Sequence, residues 1–235
     1  RQNLRWYSSP LLLAMALSGG WANVAYTLGV LEGEVMQVLL LMYLAPLWTA
    51  GLAHWLLGEH LTRVGYGIVL LALLGAIIML YPTDHVWNFG RADWYGVSSG
   101  IAFALVNILV KKAAHHPAPI RTLHVWAGVV ACSWLPLAFG SIAWPSITQW
   151  QAASYGLLLT AVWVFLLGVV VQYGILRVSA NQGVVVMLFE LPVAAISAWW
   201  FAGESLTFQQ ILGGGFIVAA GLFSHRMTTP SLTTQ

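Results

Sequence analysis

Charge is what this chain has least of. Only 7% of its 235 residues are charged and 60% are hydrophobic, whereas soluble domains carry roughly 25% charged residues. That balance excludes an ordinary water-soluble domain and makes the chain a membrane protein. Cysteine is almost missing as well. Cys132 stands alone inside an apolar run, so it forms no internal disulfide and has no metal-binding companion nearby. His115 and His116 are adjacent, without the spacing of a helical metal pair, and no metal site is expected. Phosphate-loop, dinucleotide and nucleophile-elbow patterns are absent, which argues against a nucleotide-driven pump, a hydrolase or any bound cofactor.

Long apolar runs are what the chain has in abundance. A bilayer core about 30 Å thick needs about 20 apolar residues per crossing. Eight stretches qualify, near residues 10–30, 35–57, 64–81, 94–110, 122–142, 152–175, 182–203 and 208–225. Their length excludes barrel strands, because a spanning strand takes only about 10 residues. The expected fold is therefore all-α: a multi-pass transmembrane bundle of eight helices.

One stretch occurs twice. At a constant offset of 145 residues, Gly29 matches Gly174, Gln37 matches Gln182, Met42 matches Met187 and Trp55 matches Trp200. The match ends in a shared polar corner, Gly58-Glu59-x-Leu61-Thr62 against Gly203-Glu204-x-Leu206-Thr207. We read an internal duplication.

The nine basic residues fix an orientation. With eight crossings, Arg1, Arg5, Arg63, Lys111, Lys112, Arg121, Arg177 and Arg226 fall on one face and only Arg91 on the other. Positive loops stay inside, so both termini are expected in the cytoplasm. Five expected helices separate the two Gly-Glu corners, and five is odd, so the copies cross the membrane in opposite senses. Inverted repeats of this kind suit a transporter whose halves rock about a central site.

Two copies of a proline-containing helix, each followed by a Gly-Glu-x-Leu-Thr corner and a glycine-dotted helix, resemble the EamA-type transporters of the drug/metabolite transporter superfamily. The residues that carry the resemblance are Pro46, Gly58, Glu59, Leu61, Thr62 and Gly75 in one copy. In the other they are Glu190, Gly203, Glu204, Leu206, Thr207, Gly213 and Gly221. It extends from about Leu11 to Leu222. It implies ten helices in two inverted five-helix halves, both termini in the cytoplasm, and traffic in amino acids, metabolites or drugs. On that pattern residues 1–90 hold the last three helices of the first repeat and 91–235 the five of the second, so the first two helices are expected to be lacking. Pro192 departs by one position from the register of Pro46.

Glu190 is the sharpest candidate for chemistry. An acid well inside a membrane helix costs roughly 2.5–3.5 kcal/mol and usually faces a polar cavity or a partner. There it could couple transport to a proton or hold a cationic part of a substrate. Pro46 and Pro192 withhold backbone donors from the Met42 and Leu188 carbonyls, offering freed oxygens near the helix middle. Gln37 and Gln182 occupy matched positions near helix starts, where they gate or line an entrance, or simply cap and bond between helices. Asn23, Tyr26 and Trp163 are further candidates for the substrate or coupling site. Asn107, Gln172 and Tyr173 read first as interhelical hydrogen bonders. Gly58, Glu59, Gly203 and Glu204 form structural corners, the acids capping the following helices.

These residues favour a secondary transporter of small organic molecules such as amino acids or drugs, working by alternating access, as an exporter and with a proton as possible co-substrate. It would sit in the plasma membrane or bacterial inner membrane, as monomer or homodimer, with no nucleic-acid partner. Two other readings are a non-transporting partner subunit or inactive truncated homologue, and an intramembrane enzyme on lipid-linked substrates. The enzyme reading needs acids, bases or nucleophiles clustered at one membrane face, and the short loops are poor in them.

Overall fold

The apolar runs become helices whose ends are set by the few polar residues between them. The computed structural model describes residues 9–81, 89–138, 146–203 and 205–227. In order these form α1 (Pro10–Glu32), α2 (Val35–Met42), α3 (Ala45–Leu57), α4 (Arg63–Leu80), α5 (Arg91–Lys112) and α6 (Ala118–Ala138). There follow α7 (Ile147–Ile175), α8 (Ala180–Met187), α9 (Glu190–Ser197) with a π turn at Ala198–Ala202, and α10 (Phe208–Leu222). No strand occurs among the described residues.

Side-chain oxygens satisfy the orphan amides at several helix starts. Ser9 accepts from Leu12 N, Thr62 from Gly65 N, Ser179 from Gln182 N and Thr207 from Gln210 N. Thr62 and Thr207 are the last residues of the duplicated corner, so both copies start the next helix in the same way. Gly58 and Gly203 stop the preceding helix in the same way too, at φ +67° and +70°. That left-handed backbone suits glycine, which has no Cβ to clash.

Each copy of the proline-containing helix is broken. The first stops at Met42 and resumes at Ala45, and the second stops at Met187 and resumes at Glu190. The breaks match residue for residue at the 145 offset. Pro46 and Pro192 lie in the first turn of the resumed helices, where a missing N–H costs nothing. The sequence predicts one continuous kinked helix at each place, so this is a correction. One freed carbonyl is taken and the other is crowded by a neighbour. Leu188 O accepts from Leu191 N at 3.1 Å, and Met42 O is pressed against α5 at Gly100, where a Cβ would stand 2.8 Å from it.

Seven segments are long and apolar enough to cross a membrane: α1, α2–α3, α4, α5, α6, residues 153–175 of α7, and α8–α9 with its π turn. α10 has 15 residues, about 22 Å at 1.5 Å per residue, short of a core about 30 Å thick. The expected run to residue 225 ends early because Ser224–Arg226 tighten into a 3-10 turn.

Glycines set the packing. α1 and α6 meet backbone to backbone, with Gly128 against the Ala16 carbonyl and Gly20 beside Gly128 and Cys132. α4 and α10 run antiparallel and touch at Gly75 and Gly213, where a Cβ on Gly75 would lie 2.6 Å from the Gly213 carbonyl oxygen. Small residues allow this closeness where lipid supplies no hydrophobic drive. Both ends of the α4–α10 pair are clamped. Thr62 N donates to Met227 O at 2.9 Å and Thr62 Oγ1 to Arg226 O at 2.9 Å. At the far end Gln209 Nε2 donates to Ile78 O at 2.5 Å and Tyr81 O at 2.9 Å. The two Gly-Glu corners therefore lie at opposite ends of the bundle.

The first corner shares its end with much of the positive charge. Thr62 meets Arg226, Glu59 faces Lys111 at 4.0 Å, and the Lys111 ammonium bonds the Val178 carbonyl beside Arg177. Arg91 pairs with Glu32 at 2.8 Å where α1 ends and α5 begins, at the other end. α7 stays at the periphery, touching α5 and α6 mainly through Gly168 and Gln172.

Candidate functional site

A cavity of about 430 Å³ lies between the two helix breaks, closed round by α1, α5 and α7. Eight of its lining residues are four repeat-matched pairs: Leu39 and Val184, Met42 and Met187, Tyr43 and Leu188, Ala45 and Glu190. The cavity thus sits where the two copies face each other. The pairs are equivalent in position but not in chemistry. Ala45 faces in from one copy and Glu190 from the other, giving the pocket one acidic wall.

Glu190 opens α9. Its position at a helix N-terminus rather than in a helix interior is favourable, because the dipole end there is positive and stabilises a carboxylate. The side chain is open to the cavity. Tyr43, a buried residue, sets its phenol beside the Glu190 carboxylate, and the Tyr26 phenol lies within electrostatic range of both. Asn23 lines the wall one turn of α1 earlier, its amide nitrogen donating to Gly19 O at 2.9 Å. Ser99 is taken: its hydroxyl donates to Ala22 O at 2.8 Å and ties α5 to α1. Phe103 and the two methionines supply apolar, polarisable surface. An acid, two phenols and an aromatic ring in a largely apolar hollow suit a cationic group on an organic molecule.

Of the residues singled out from the sequence, the structure brings Glu190, Asn23, Tyr26 and Pro46 together in this cavity. Pro192 lies just outside it, against Gly214. Gln37 is buried away from the cavity, and Gln182 turns to Ser224, its amide nitrogen 3.5 Å from the hydroxyl. Trp163 is 64% exposed on the outer side of α7 and does not reach the cavity, because only the later turns of α7 pack inward. Glu59 does cap a helix, but not the next one. Both of its oxygens accept from Ala180 N, at 2.9 and 3.0 Å, at the start of α8, while Thr62 caps α4. Glu204 lies outside the described residues. Tyr43, Ser99 and Phe103 were not singled out from the sequence; the repeat register marks Tyr43 as the neighbour of the Met42–Met187 pair.

The comparisons agree with this architecture. An uncharacterized transporter from Archaeoglobus fulgidus is 29% identical over 218 residues, covering 92% of this chain and 76% of that protein. An S-adenosylmethionine uptake transporter from Rickettsia prowazekii is 24% identical over 199 residues, covering 85% of this chain and 66% of that one. A pseudopaline exporter from Pseudomonas aeruginosa is 24% identical over 217 residues, covering 90% and 73%. A solved crystal structure superimposes with a TM-score of 0.69 at 15% identity, covering 96% of this chain and 81% of that one, and shows the same fold. These relatives bear the names of transporters, not of enzymes. The EamA-like transporter family matches at residues 1–81 and 90–224, and the chain belongs to that family.

Proposed function

We propose that this transporter carries a small organic molecule with a cationic group, and that the Glu190 carboxylate holds that group at the centre of an alternating-access cycle. The observation that carries the reading is the cavity itself: repeat-matched residues surround it, and one titratable acid stands at its helix break. Residues 1–90 and 91–235 act as the two inverted units that rock against each other. The excess of basic residues at one end supports our reading of that end, with both termini, as the cytoplasmic side of a plasma or bacterial inner membrane. Export, exchanged against protons taken up at Glu190, is the direction and coupling that we propose. The relatives' names include both an uptake transporter and an exporter.

The test is flux in proteoliposomes with a panel of radiolabelled organic cations and amino-acid derivatives under an imposed pH gradient. Saturable, gradient-dependent flux is expected, with Glu190→Gln lowering it at least about tenfold, the loss of one charge-assisted contact. Undiminished flux in Glu190→Gln overturns the cation site. Flux indifferent to the gradient overturns the coupling while leaving the site in place.

A further inference from the structure

The cavity does not end at Phe103. A second hollow of about 280 Å³ shares Asn23, Phe103, Val171 and Met187 with the first and runs on between α1, α5, α6 and α7. Its polar lining is unusual for what it leaves unpaired. Asn107 and Thr122 are 6% and 1% exposed, and among the described residues neither Asn107 Nδ2 nor Thr122 Oγ1 has a hydrogen-bond partner. Buried polar atoms nearly always find partners, so two orphans on adjacent walls of one hollow mark a place built for something else.

Arg121 gives that place a sign. Its guanidinium is 1% exposed and bonds Gln172 Oε1 at 3.0 Å and His116 O at 2.9 Å, with no carboxylate partner among the described residues. A guanidinium only donates, so it fixes the Gln172 amide with the carbonyl towards itself and leaves the N–H donors for the hollow that Gln172 lines. Asn107, Thr122 and Gln172 thus offer donors from three helices, backed by an uncompensated positive charge. That combination suits a carboxylate.

We infer that Asn107, Thr122 and Gln172 form a second subsite for the carboxylate of an elongated bipolar cargo whose cationic end rests on Glu190. The inference depends on the reading of Glu190 as the cation site. Length follows from α5, where Ser99, Phe103 and Asn107 succeed one another at four-residue steps on one face. At 1.5 Å per residue the two subsites stand roughly 6–12 Å apart along that helix. An α-amino acid, whose charges lie side by side, cannot bridge them.

The probes are ω-amino-octanoate, which carries both charges, and ω-amino-octanamide, which lacks the carboxylate. Binding to the purified full chain in detergent is read by ligand-induced melting shift and by the fluorescence of Trp126, which also lines the hollow. Thr122→Val keeps the side-chain shape and Asn107→Asp sets a carboxylate against the probe's own. Each is expected to weaken the amino-octanoate about tenfold or more, as the loss of a hydrogen bond to a charged group would, and the amide probe, whose neutral carbonyl makes a weaker bond, only a fewfold. Glu190→Gln is expected to weaken both probes. Equal loss of both probes in Thr122→Val, loss of neither, or no saturable binding of the amino-octanoate to wild type overturns the subsite. Unchanged binding of both probes to Glu190→Gln instead overturns the cation site.

Discussion

The carboxylate of Glu59 receives the backbone amide of Ala180 from 121 residues away, with both oxygens within 3.0 Å. Asn181 Nδ2 adds a longer contact at 3.4 Å, and the Lys111 ammonium stands 4.0 Å off while bonding the Val178 carbonyl. One acid therefore fastens the first Gly-Glu corner to the start of the second broken helix. Glu59→Ala is expected to cost about 2 kcal/mol by stranding the Ala180 amide. Glu59→Gln, which still accepts, should cost less. Thermal unfolding in detergent measures both, and equal stability of Glu59→Ala and wild type refutes the cap.

Two glycines on the same helix should behave oppositely. A Cβ at Gly75 would strike the backbone of Gly213, whereas a Cβ at Gly67 meets nothing within 4 Å. Gly75→Ala is expected to destabilise by about 1–3 kcal/mol through overpacking. Gly67→Ala should stabilise by about 0.5–1 kcal/mol because alanine loses less backbone freedom. The melting temperatures of the two variants should thus move in opposite directions.

The opposed corners can be read from outside. His60 and Ser205 are both exposed, and the native Cys132 is only 8% exposed. With cysteine placed at one site or the other, an impermeant maleimide on sealed right-side-out vesicles should label only Ser205→Cys. His60→Cys should react after the vesicles are opened. Labelling of both from one side would contradict the antiparallel α4–α10 pair.

Tyr43 is expected to act through Glu190. Tyr43→Phe keeps the ring that fills the wall and removes the hydroxyl that stands beside the carboxylate. Transport should fall by about five- to tenfold, the worth of one ordinary polar contact of about 1–1.5 kcal/mol. Folding should hardly change. A Phe variant that transports as wild type would show the hydroxyl to be idle.

His116, in the loop between α5 and α6, gives a pH signature. Burial first, then His115, His124 and Arg121, hold its pKa below the usual 6.5. The unfolded chain takes the proton more readily, so stability is full above that value and is lost as pH falls below it. Melting temperature should drop between about pH 7 and about pH 5, and His116→Gln should blunt the drop. A pH dependence identical in both would assign it to other groups.

The helices were legible because crossing a bilayer demands length and apolarity, which no other arrangement of these residues would need. The corners were legible because Gly58, Glu59 and Thr62 recur 145 residues on. The breaks were not. A proline ordinarily interrupts the helix that contains it, but Pro46 and Pro192 come just after the interruption, at starts that tolerate them. Glu190, Asn23 and Tyr26 stood out because polar groups are costly in lipid. Tyr43 and Ser99 did not, since such residues serve many membrane helices as ordinary hydrogen bonders. Trp163 shows the limit of position along a helix: it gives depth in the membrane and says nothing about which way the side chain turns.

The α4–α10 pair has a mechanical corollary. Sliding one helix past the other would pull apart the Thr62 and Gln209 clamps together, and tilting about Gly75 and Gly213 would prise open the Thr62 clamp, about 20 Å away along α4. The two helices are thus yoked, and any motion of one carries the other with it as a single lever.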